Sequence, residues 1–225
     1  SREYVEARVR AGLLEQNTVD IMTDLGVADR LKKEGQEHHG VYLSFNGDRI
    51  RVPFGELTGG RNITIYGQQE VVKDLTNEWL SGGETLLFEA PATKIDNIDM
   101  DTPEIHFEHQ GEPGRIDCDF VAACDGFHGI GRKSMPTGSF KEFSVTYPYS
   151  WLGILANVAP SSEELIYAYH ERGFALHSLR SDKISRLYIQ VDNDDREENW
   201  TDEMIWDELS IRLGTKDWEL KRGPI

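Results

Sequence analysis

The 225-residue sequence has no long apolar run, few cysteines and a shortage of positive charge. No stretch of about 18 apolar residues occurs, and no charged-then-apolar leader opens the chain, so we expect neither a membrane span nor a secretion signal. Lys and Arg number 24 against 40 Asp and Glu, and the resulting net charge of −16 would repel a phosphate backbone. Nucleic acid and membranes are therefore not expected partners.

The two cysteines, Cys118 and Cys124, lie six positions apart in one apparent strand that ends in DFVAAC. An extended strand rises about 3.3 Å per residue, which places them roughly 20 Å from each other and beyond disulfide reach. A reducing cytoplasm fits this cysteine usage, whereas a zinc site does not, and we expect no bound metal.

Composition indicates a soluble globular protein, since 38% of the residues are hydrophobic and five are tryptophan. A chain of this length can bury one large core or two small ones. The sequence contains no internal repeat, low-complexity tract or obvious linker, so it predicts one or two domains without marking a boundary between them.

Three segments predict helices from their apolar spacing. GLLEQNTVDIMTDLG places Leu14, Thr18, Ile21 and Leu25 on one face and ends at Gly26, and QQEVVKDLTNEWL has Val71, Leu75 and Trp79 at four-residue intervals. TDEMIWDELSIRLG predicts a helix from Thr201 to Gly214 with acidic residues in its first turn.

Several other segments predict strands. VYLSFNGDRIRVPF alternates around Asn46-Gly47, a strong hairpin signal, and the region 143–191 is rich in strand-forming residues. The short runs TLLFEA, EIHFEHQ and DFVAAC are separated by Asp, Asn, Gly and Pro clusters. DFVAAC is nearly all apolar and ends in Asp125-Gly126, as at the carboxyl edge of a buried sheet, where ligands usually bind in α/β folds.

The stretch GFALHSLRSDKISRLYIQV predicts a second hairpin with a polar turn. Its two-residue period puts Ser178 and Arg180 on one face of the first strand, and Arg186, Tyr188 and Gln190 on one face of the second. One interpretation is an ordinary solvent-facing side of a hairpin. The other is a wall that binds an anion, because a guanidinium fork matches a carboxylate and the hydroxyls could complete its hydrogen bonds.

Other candidate residues are ambiguous on their own. ACDGFHGIGR can be a simple turn, and His128 within it can be a hydrogen-bonded loop histidine rather than a catalyst. Arg8 and Arg10 alternate in an extended segment and can both face solvent. The order of several sequence phrases along the chain distinguishes a functional from a purely structural interpretation. These phrases are VRAGLLEQ, IYGQQEV, CDGFHGIGR, ELIYA, GFALHSLRS and SRLYIQV.

These phrases, from about Tyr4 to Trp206, resemble the flavoprotein aromatic hydroxylases, and within them the enzymes that act on hydroxybenzoates. The resemblance implies an incomplete α/β (α+β) two-domain flavoprotein-hydroxylase fold. Residues 1–37 and 64–146 would form part of the FAD-binding domain. Residues 38–63 and 147–225 would form the substrate-binding domain, with a mostly antiparallel sheet.

The same resemblance implies a longer protein. The family has a GxGxxG phosphate-binding turn before the segment that matches this chain and a GDAAH-like flavin segment after it. Neither phrase occurs here, so the chain looks like the middle portion of the enzyme. We expect it to be inactive alone and not to retain FAD.

Residue by residue, the resemblance implies four sets of contacts. Ser178, Arg180 and Tyr188 would bind the carboxylate of an aromatic acid. Tyr167 would bind the phenolic oxygen, with His38 at the outer end of its proton relay and Arg186 beside the flavin. FAD contacts are implied at Arg10, Gln68 and Asp125, and NAD(P)H contacts at Tyr4, Arg8 and His128.

The implied activity is FAD-dependent hydroxylation of 4-hydroxybenzoate next to its hydroxyl, using NADPH or NADH and oxygen, in a cytoplasmic homodimer. A phenolate donates electrons to the ring better than a phenol does, so the relay would activate the substrate. Two alternatives stay open: a sister hydroxylase for another benzoate, such as 3,4-dihydroxybenzoate, or a flavin-free module that binds aromatic acids.

Overall fold

The computed structural model of the protein describes residues 1–8 and 10–225. Their contacts divide the chain into a smaller unit, residues 1–4 with 79–145, and a larger unit, residues 5–78 with 146–225. The domains predicted from the sequence are defined by the ligand that each would serve, and they stay a prediction. No helix among the described residues is long and apolar enough to cross a membrane.

Short helices and twelve strands make up the described part of the chain. The helices are α1 (Arg2–Ala7), α2 (Gln16–Asp24), α3 (Asp29–Glu34), α4 (Phe54–Leu57), α5 (Gln68–Ser81), α6 (Gly131–Ser134) and α7 (Asp202–Leu213), with a 3₁₀ turn at Glu197–Asn199. The strands are β1 (Leu13–Glu15), β2 (Gln36–His38), β3 (Val41–Phe45), β4 (Asp48–Val52), β5 (Ile63–Ile65), β6 (Ala92–Asp96), β7 (Glu104–His109), β8 (Glu112–Asp117), β9 (Ser150–Ala156), β10 (Ile166–Tyr169), β11 (Ala175–Leu179) and β12 (Ser185–Val191).

A six-stranded sheet in the order β4-β3-β10-β11-β12-β9 dominates the larger unit. Its neighbouring strands pair antiparallel, except for the parallel pair β10 and β3. The sheet is therefore mostly antiparallel, as predicted. The residues of one face are fully or almost fully buried and form the core: Ile154, Ala156, Ile166, Ala168, Ala175, Leu187 and Ile189.

Helix α7 covers this buried face, and its ends lie where the sequence predicts them. The hydroxyl of Thr201 accepts a hydrogen bond from the Met204 backbone N–H, which caps the amino end, and the helix ends at Gly214. Ile205, Leu209 and Leu213 recur every four residues and pack into the core. This amphipathic pattern fixes which side of the sheet is covered.

Both predicted hairpins of the larger unit are confirmed. Asn46 and Gly47 join β3 to β4 with φ angles of 49° and 94°, the left-handed conformations that a two-residue hairpin turn of this type requires. β11 pairs antiparallel with β12 across the loop 180–184. Ser178 lies opposite Arg186, and Leu176 lies opposite Tyr188, so the polar rows of the two strands are neighbours.

A second, small sheet in the order β1-β5-β2 has strands of only three residues. Strands this short show no alternation of apolar residues that the sequence could reveal. It corrects the predicted start of the first helix, because residues 13–15 pair with β5 and α2 begins only at Gln16. The predicted apolar face is wrong too: Met22 is buried, whereas Ile21 and Leu25 are exposed.

Helix α5 is confirmed, although its predicted apolar face is also wrong. Leu75 and Trp79 are exposed. The helix instead directs carboxylates at Arg30 of α3, whose guanidinium lies 2.7 Å from a Glu70 oxygen and 2.6 Å from an Asp74 oxygen. Of the predicted apolar positions, Val71 packs against the buried cluster that contains Leu31, so apolar packing and ion pairs with Arg30 both hold this part of α5.

The smaller unit contains the antiparallel sheet β6-β7-β8 and the single turn α6. EIHFEHQ forms β7 as predicted, but the strands predicted for TLLFEA and DFVAAC are wrong. A strand needs a neighbour to satisfy its backbone groups, and no described strand pairs with residues 85–90 or 119–124. Phe120 is 91% exposed, so DFVAAC is not a buried sheet edge. Cys118 and Cys124 are free thiols outside any strand.

We expect Leu209→Ala to lower the free energy of unfolding by about 2–5 kcal/mol, because this fully buried side chain would leave a cavity between α7 and the sheet. Ile211→Ala, at an exposed position of the same helix, is the matched control and should cost less than about 1 kcal/mol. Urea unfolding followed by far-UV circular dichroism measures both. Equal losses would contradict the placement of α7.

Candidate functional site

The face of the six-stranded sheet opposite α7 carries the candidate substrate residues. The register places Tyr167, Leu176 and Tyr188 in one cross-strand row on β10, β11 and β12. Neighbouring strands lie about 4.8 Å apart, so the two tyrosines stand two strands, or roughly 10 Å, from each other. Ser178, next on the same face of β11, is buried, and Arg186 opposite it is half-buried. Tyr167 and Tyr188 thus flank Leu176 on this face.

Arg180 follows β11, and its half-buried guanidinium lies against the backbone of Gly12. A Cβ atom added to Gly12 would lie 2.8 Å from Nη1 of Arg180, so the missing side chain makes room for the guanidinium. Burial lowers the pKa of Arg180 from its usual value, and the positive charge of Arg186 lowers it further. Within the described residues the Arg180 guanidinium has no hydrogen bond or ion pair, although it lies within the field of Glu70.

The segment Arg10–Gly12 connects several of these predicted residues. The Arg10 carbonyl oxygen accepts a hydrogen bond from Nη1 of Arg186 at 3.0 Å. The Ala11 carbonyl accepts one from the Gln68 backbone N–H at 2.9 Å. Arg10, Gln68, Arg180 and Arg186 therefore gather around one short piece of backbone. We call the three arginines of this group, Arg10, Arg180 and Arg186, the arginine cluster.

Arg10 and Gln68, with Arg186 bonded to the Arg10 carbonyl, fit an anionic, polar cofactor such as FAD. Arg10 and Gln68 are both exposed, so their donors can reach a ligand, and Gln68 is the first residue of the 14-residue helix α5. A helix amino end favours negative charge. Arg10 and Gln68 would hold polar or phosphate groups of the cofactor, and the cofactor would supply the activation of oxygen.

Asp125, the third predicted FAD contact, lies in the smaller unit. Its carboxylate accepts a hydrogen bond from the Gly131 backbone N–H at 2.8 Å and lines a cavity of about 470 Å³ with Val121, Ala123 and Met135. Gly126 has a φ of 71°, which confirms the Asp-Gly turn. One carboxylate oxygen is thus used to fix the turn, and the carboxylate is exposed enough to meet a ligand.

The three residues predicted to contact NAD(P)H are exposed. Tyr4 lies in α1, Arg8 follows that helix, and the His128 ring packs edge-on against Phe127 with a 5.0 Å centroid separation. Tyr4 and His128 belong to the smaller unit and Arg8 to the larger one. Their predicted roles stay predictions.

Tyr167 lies on the candidate face with its ring 6.2 Å from that of Phe174. Burial raises the pKa of its hydroxyl above the usual value, so Tyr167 keeps its proton near neutral pH. A protonated tyrosine can donate a hydrogen bond to a phenolate oxygen and favour that form of a bound phenol. This state suits the role that the resemblance implies.

His38 ends β2 and is only 2% exposed, so its side chain does not itself reach solvent. Its Nδ1 atom is buried without a hydrogen-bond partner among the described residues. Burial lowers the pKa of His38, an effect that the nearby Glu164 carboxylate opposes. The predicted outer end of the relay is therefore inside the protein in this structure.

His177 is a buried titratable residue that sequence reasoning missed. It precedes Ser178 on β11 but faces the core, where its Nε2 accepts a hydrogen bond from the Ser161 backbone N–H at 3.1 Å. Burial is the main cause that lowers its pKa to about 4, and the positive Arg49 and His38 lower it further. The sequence did contain a signal for it, because His177 occupies a core-facing position in a strand whose residues alternate between the two faces.

The chain is similar to proteins of a known family. A family model described as FAD binding domain matches residues 1–219. A protein of Acinetobacter baylyi named p-hydroxybenzoate hydroxylase is 44% identical over the 225 residues, and this chain covers 55% of its length. The chain thus spans about half of that relative.

Two solved structures have the same fold. Pseudomonas aeruginosa PqsL in complex with 2-aminobenzoylacetate has a TM-score of 0.77 at 16% identity, over 96% of this chain and 59% of PqsL. p-Nitrophenol 4-monooxygenase PnpA of Pseudomonas putida DLL-E4 has a TM-score of 0.77 at 14% identity, over 93% of this chain and 54% of PnpA. The predicted fold class is confirmed.

Because the pKa of His177 falls from 6.5 to about 4 on folding, unfolding takes up a proton between these pH values. The stability from this group is complete above about pH 6.5 and is lost as the pH falls toward 4. We expect the free energy of unfolding to fall between pH 7 and pH 5 by about 2 kcal/mol more in the wild type than in His177→Gln.

Urea unfolding at a series of pH values measures this difference. His128→Gln, at an exposed histidine, is the control and should keep the wild-type pH dependence. The same pH dependence in wild type and His177→Gln would show that His177 is not the buried neutral group that the structure describes.

Proposed function

Since the chain belongs to the FAD binding domain family, we propose that it is part of an FAD-dependent monooxygenase. The proposed reaction hydroxylates 4-hydroxybenzoate next to its hydroxyl, with NAD(P)H and oxygen, and gives 3,4-dihydroxybenzoate. The observation that carries the proposal is the half-buried Arg180 without an ion pair, beside Ser178 and the row of Tyr167 and Tyr188.

In this proposal the substrate carboxylate supplies the charge that Arg180 lacks. A guanidinium donates two parallel hydrogen bonds to a carboxylate, and the hydroxyls of Ser178 and Tyr188 satisfy its remaining lone pairs. The sheet then directs the ring toward Tyr167, because the phenolic oxygen is para to the carboxylate. The unpaired arginine thus selects aromatic acids over neutral phenols.

The chain's own residues also control the proton in this proposal. Tyr167 holds a hydrogen bond at the phenolic oxygen, and His38 accepts the proton that leaves the substrate. Arg186, fixed to the Arg10 carbonyl, carries positive charge at the place where the resemblance puts the flavin. NADPH or NADH as electron donor, a homodimer and a cytoplasmic location belong to the same proposal and rest on the resemblance.

The name of the Acinetobacter baylyi relative supports 4-hydroxybenzoate over the sister substrate 3,4-dihydroxybenzoate. A hydroxylase for the dihydroxy acid would use the same carboxylate contacts and differ only in the ring pocket. The flavin-free binding module is the less favoured alternative, because the chain belongs to the FAD binding domain family and its Arg10 and Gln68 are exposed to a cofactor.

We expect the enzyme that contains this chain to oxidise NAD(P)H at least about tenfold faster with 4-hydroxybenzoate than without it, equal to about 1.4 kcal/mol of activation free energy. The loss of absorbance at 340 nm measures the rate. Stimulation only by 3,4-dihydroxybenzoate would favour the sister enzyme. Binding of 4-hydroxybenzoate without FAD or NAD(P)H oxidation would favour the binding module.

We expect Arg180→Ala to weaken 4-hydroxybenzoate binding by about 3 kcal/mol, or about 100-fold, because the buried carboxylate loses its partner. Arg180→Lys should restore part of the affinity, since an ammonium cannot form the two parallel bonds. Titration of the flavin absorbance measures binding, with phenol as the ligand that lacks a carboxylate. Arg196→Ala, at an exposed position, is the control variant. Equal affinity in the wild type and the three variants would support the interpretation that this side of the hairpin only faces solvent.

A further inference from the structure

Phe174 lies beside Tyr167 on the face of the six-stranded sheet opposite α7. The register pairs Tyr167 with Leu176, so Phe174, two residues before Leu176, is the diagonal neighbour of Tyr167. The two ring centroids are 6.2 Å apart at an interplanar angle of 52°, a separation at which aromatic rings attract each other. The Phe174 ring also packs edge-on against Trp151, at 5.0 Å between centroids. Phe174 thus contacts a ring of β9 and a ring of β10.

The backbone of Phe174 is held by hydrogen bonds at both of its polar groups. Its N–H donates to the side-chain oxygen of Gln190 at 3.1 Å. Its carbonyl accepts hydrogen bonds from the Gln190 backbone N–H at 3.0 Å and from Nη1 of Arg212 at 3.3 Å. Arg212 belongs to α7, is 7% exposed and is itself held by Glu208, whose carboxylate oxygen lies 3.0 Å from Nε. The helix on one side of the sheet therefore fixes the backbone that carries an aromatic ring on the other side.

The Tyr167 side chain depends on such packing for its orientation. Within the described residues its hydroxyl has no hydrogen-bond partner, and its one aromatic contact is the ring of Phe174. A side chain without a hydrogen bond turns about its rotatable bonds unless packing restricts it. The direction of the Tyr167 hydroxyl therefore depends on the ring beside it.

We propose that Phe174 is a positioning residue for Tyr167 and that its ring directs the tyrosine hydroxyl at the phenolic oxygen of the substrate. The inference rests on the proposed function. Phe174 has no polar side-chain group, so it takes no part in proton transfer and acts only through Tyr167. Supporting residues of this kind hold catalytic groups within about 0.5 Å of a productive geometry.

The first test follows the Tyr167 ring in the protein that contains this chain, without substrate. Its tyrosines carry a fluorine label, and Tyr167→Phe identifies the fluorine NMR signal of Tyr167. We expect Phe174→Ala to move this signal, because the neighbouring ring is lost. Phe45→Ala, which removes an exposed ring from the same face of the sheet, is the matched control and should leave the signal in place. An unmoved signal in Phe174→Ala overturns the inference.

The second test measures the pH at which bound 4-hydroxybenzoate loses its phenolic proton, from the absorbance of the phenolate. A hydrogen bond from Tyr167 favours the phenolate, so Phe174→Ala should shift this pH upward, in the same direction as Tyr167→Phe. We expect the affinity, which the carboxylate contacts determine, to change by less than about twofold. The kcat for hydroxylation should fall about tenfold, within the ~10²-fold that a misplacement of about 1 Å can cost.

The double variant Phe174→Ala with Tyr167→Phe separates positioning from a general packing defect. A residue that acts only through the Tyr167 hydroxyl has no further effect once that hydroxyl is absent, so the two upward shifts should not add. Shifts that add in full overturn the inference. Phe174→Leu, which keeps an apolar side chain and protects the fold, lacks the ring and should give a smaller shift in the same direction.

The two tests separate the inference from the proposed function. If the fluorine signal moves in Phe174→Ala but the wild-type protein neither binds 4-hydroxybenzoate nor oxidises NAD(P)H faster with it, the proposed function is wrong. The contact between Phe174 and Tyr167 then stands as a property of the fold alone. If the wild type binds and hydroxylates 4-hydroxybenzoate but Phe174→Ala leaves kcat and the phenolic titration unchanged, the proposed function stands and the inference is wrong.

Discussion

The register between β11 and β12 is the constraint on which the larger unit depends. Successive strand residues point to opposite faces, so a slip of one residue would exchange the two faces completely. In the observed register, Leu187 and Ile189 join the core beneath α7, and Ser178 and Tyr188 lie on the face opposite α7. Packing of α7 therefore fixes the positions of polar side chains that it does not touch.

The positive charge of Arg180 explains why the face opposite α7 can attract an acid although the chain as a whole is acidic. The net charge is −16. Other arginines form ion pairs that neutralise their charge, as Arg30 does with Glu70 and Asp74. The Arg180 guanidinium has no such partner within the part of the chain that the structure describes. A half-buried positive charge is costly, and an anion that arrives with shape and charge to match lowers that cost.

Local signals predicted the elements that local chemistry determines. Thr201 and Gly214 mark the ends of α7, and the Asn46-Gly47 pair marks a hairpin, because caps and tight turns depend on a few adjacent residues. The strand predicted at DFVAAC failed because pairing depends on a distant partner. Candidate substrate residues could be placed on one face by period alone, but the packing of Arg180 against Gly12 could not, since it arises only from tertiary contacts.

Gly12 determines the position of the Arg180 guanidinium, which the charged residues of the site do not. The Arg180 guanidinium rests on bare backbone there, so the width of position 12 determines how far the positive charge extends from the sheet. A methyl group at this position would displace the guanidinium without altering its charge or its hydrogen-bonding groups. Position 12 thus acts as a spacer: ligand length could be tuned there by steric size, separately from the strength of anion binding.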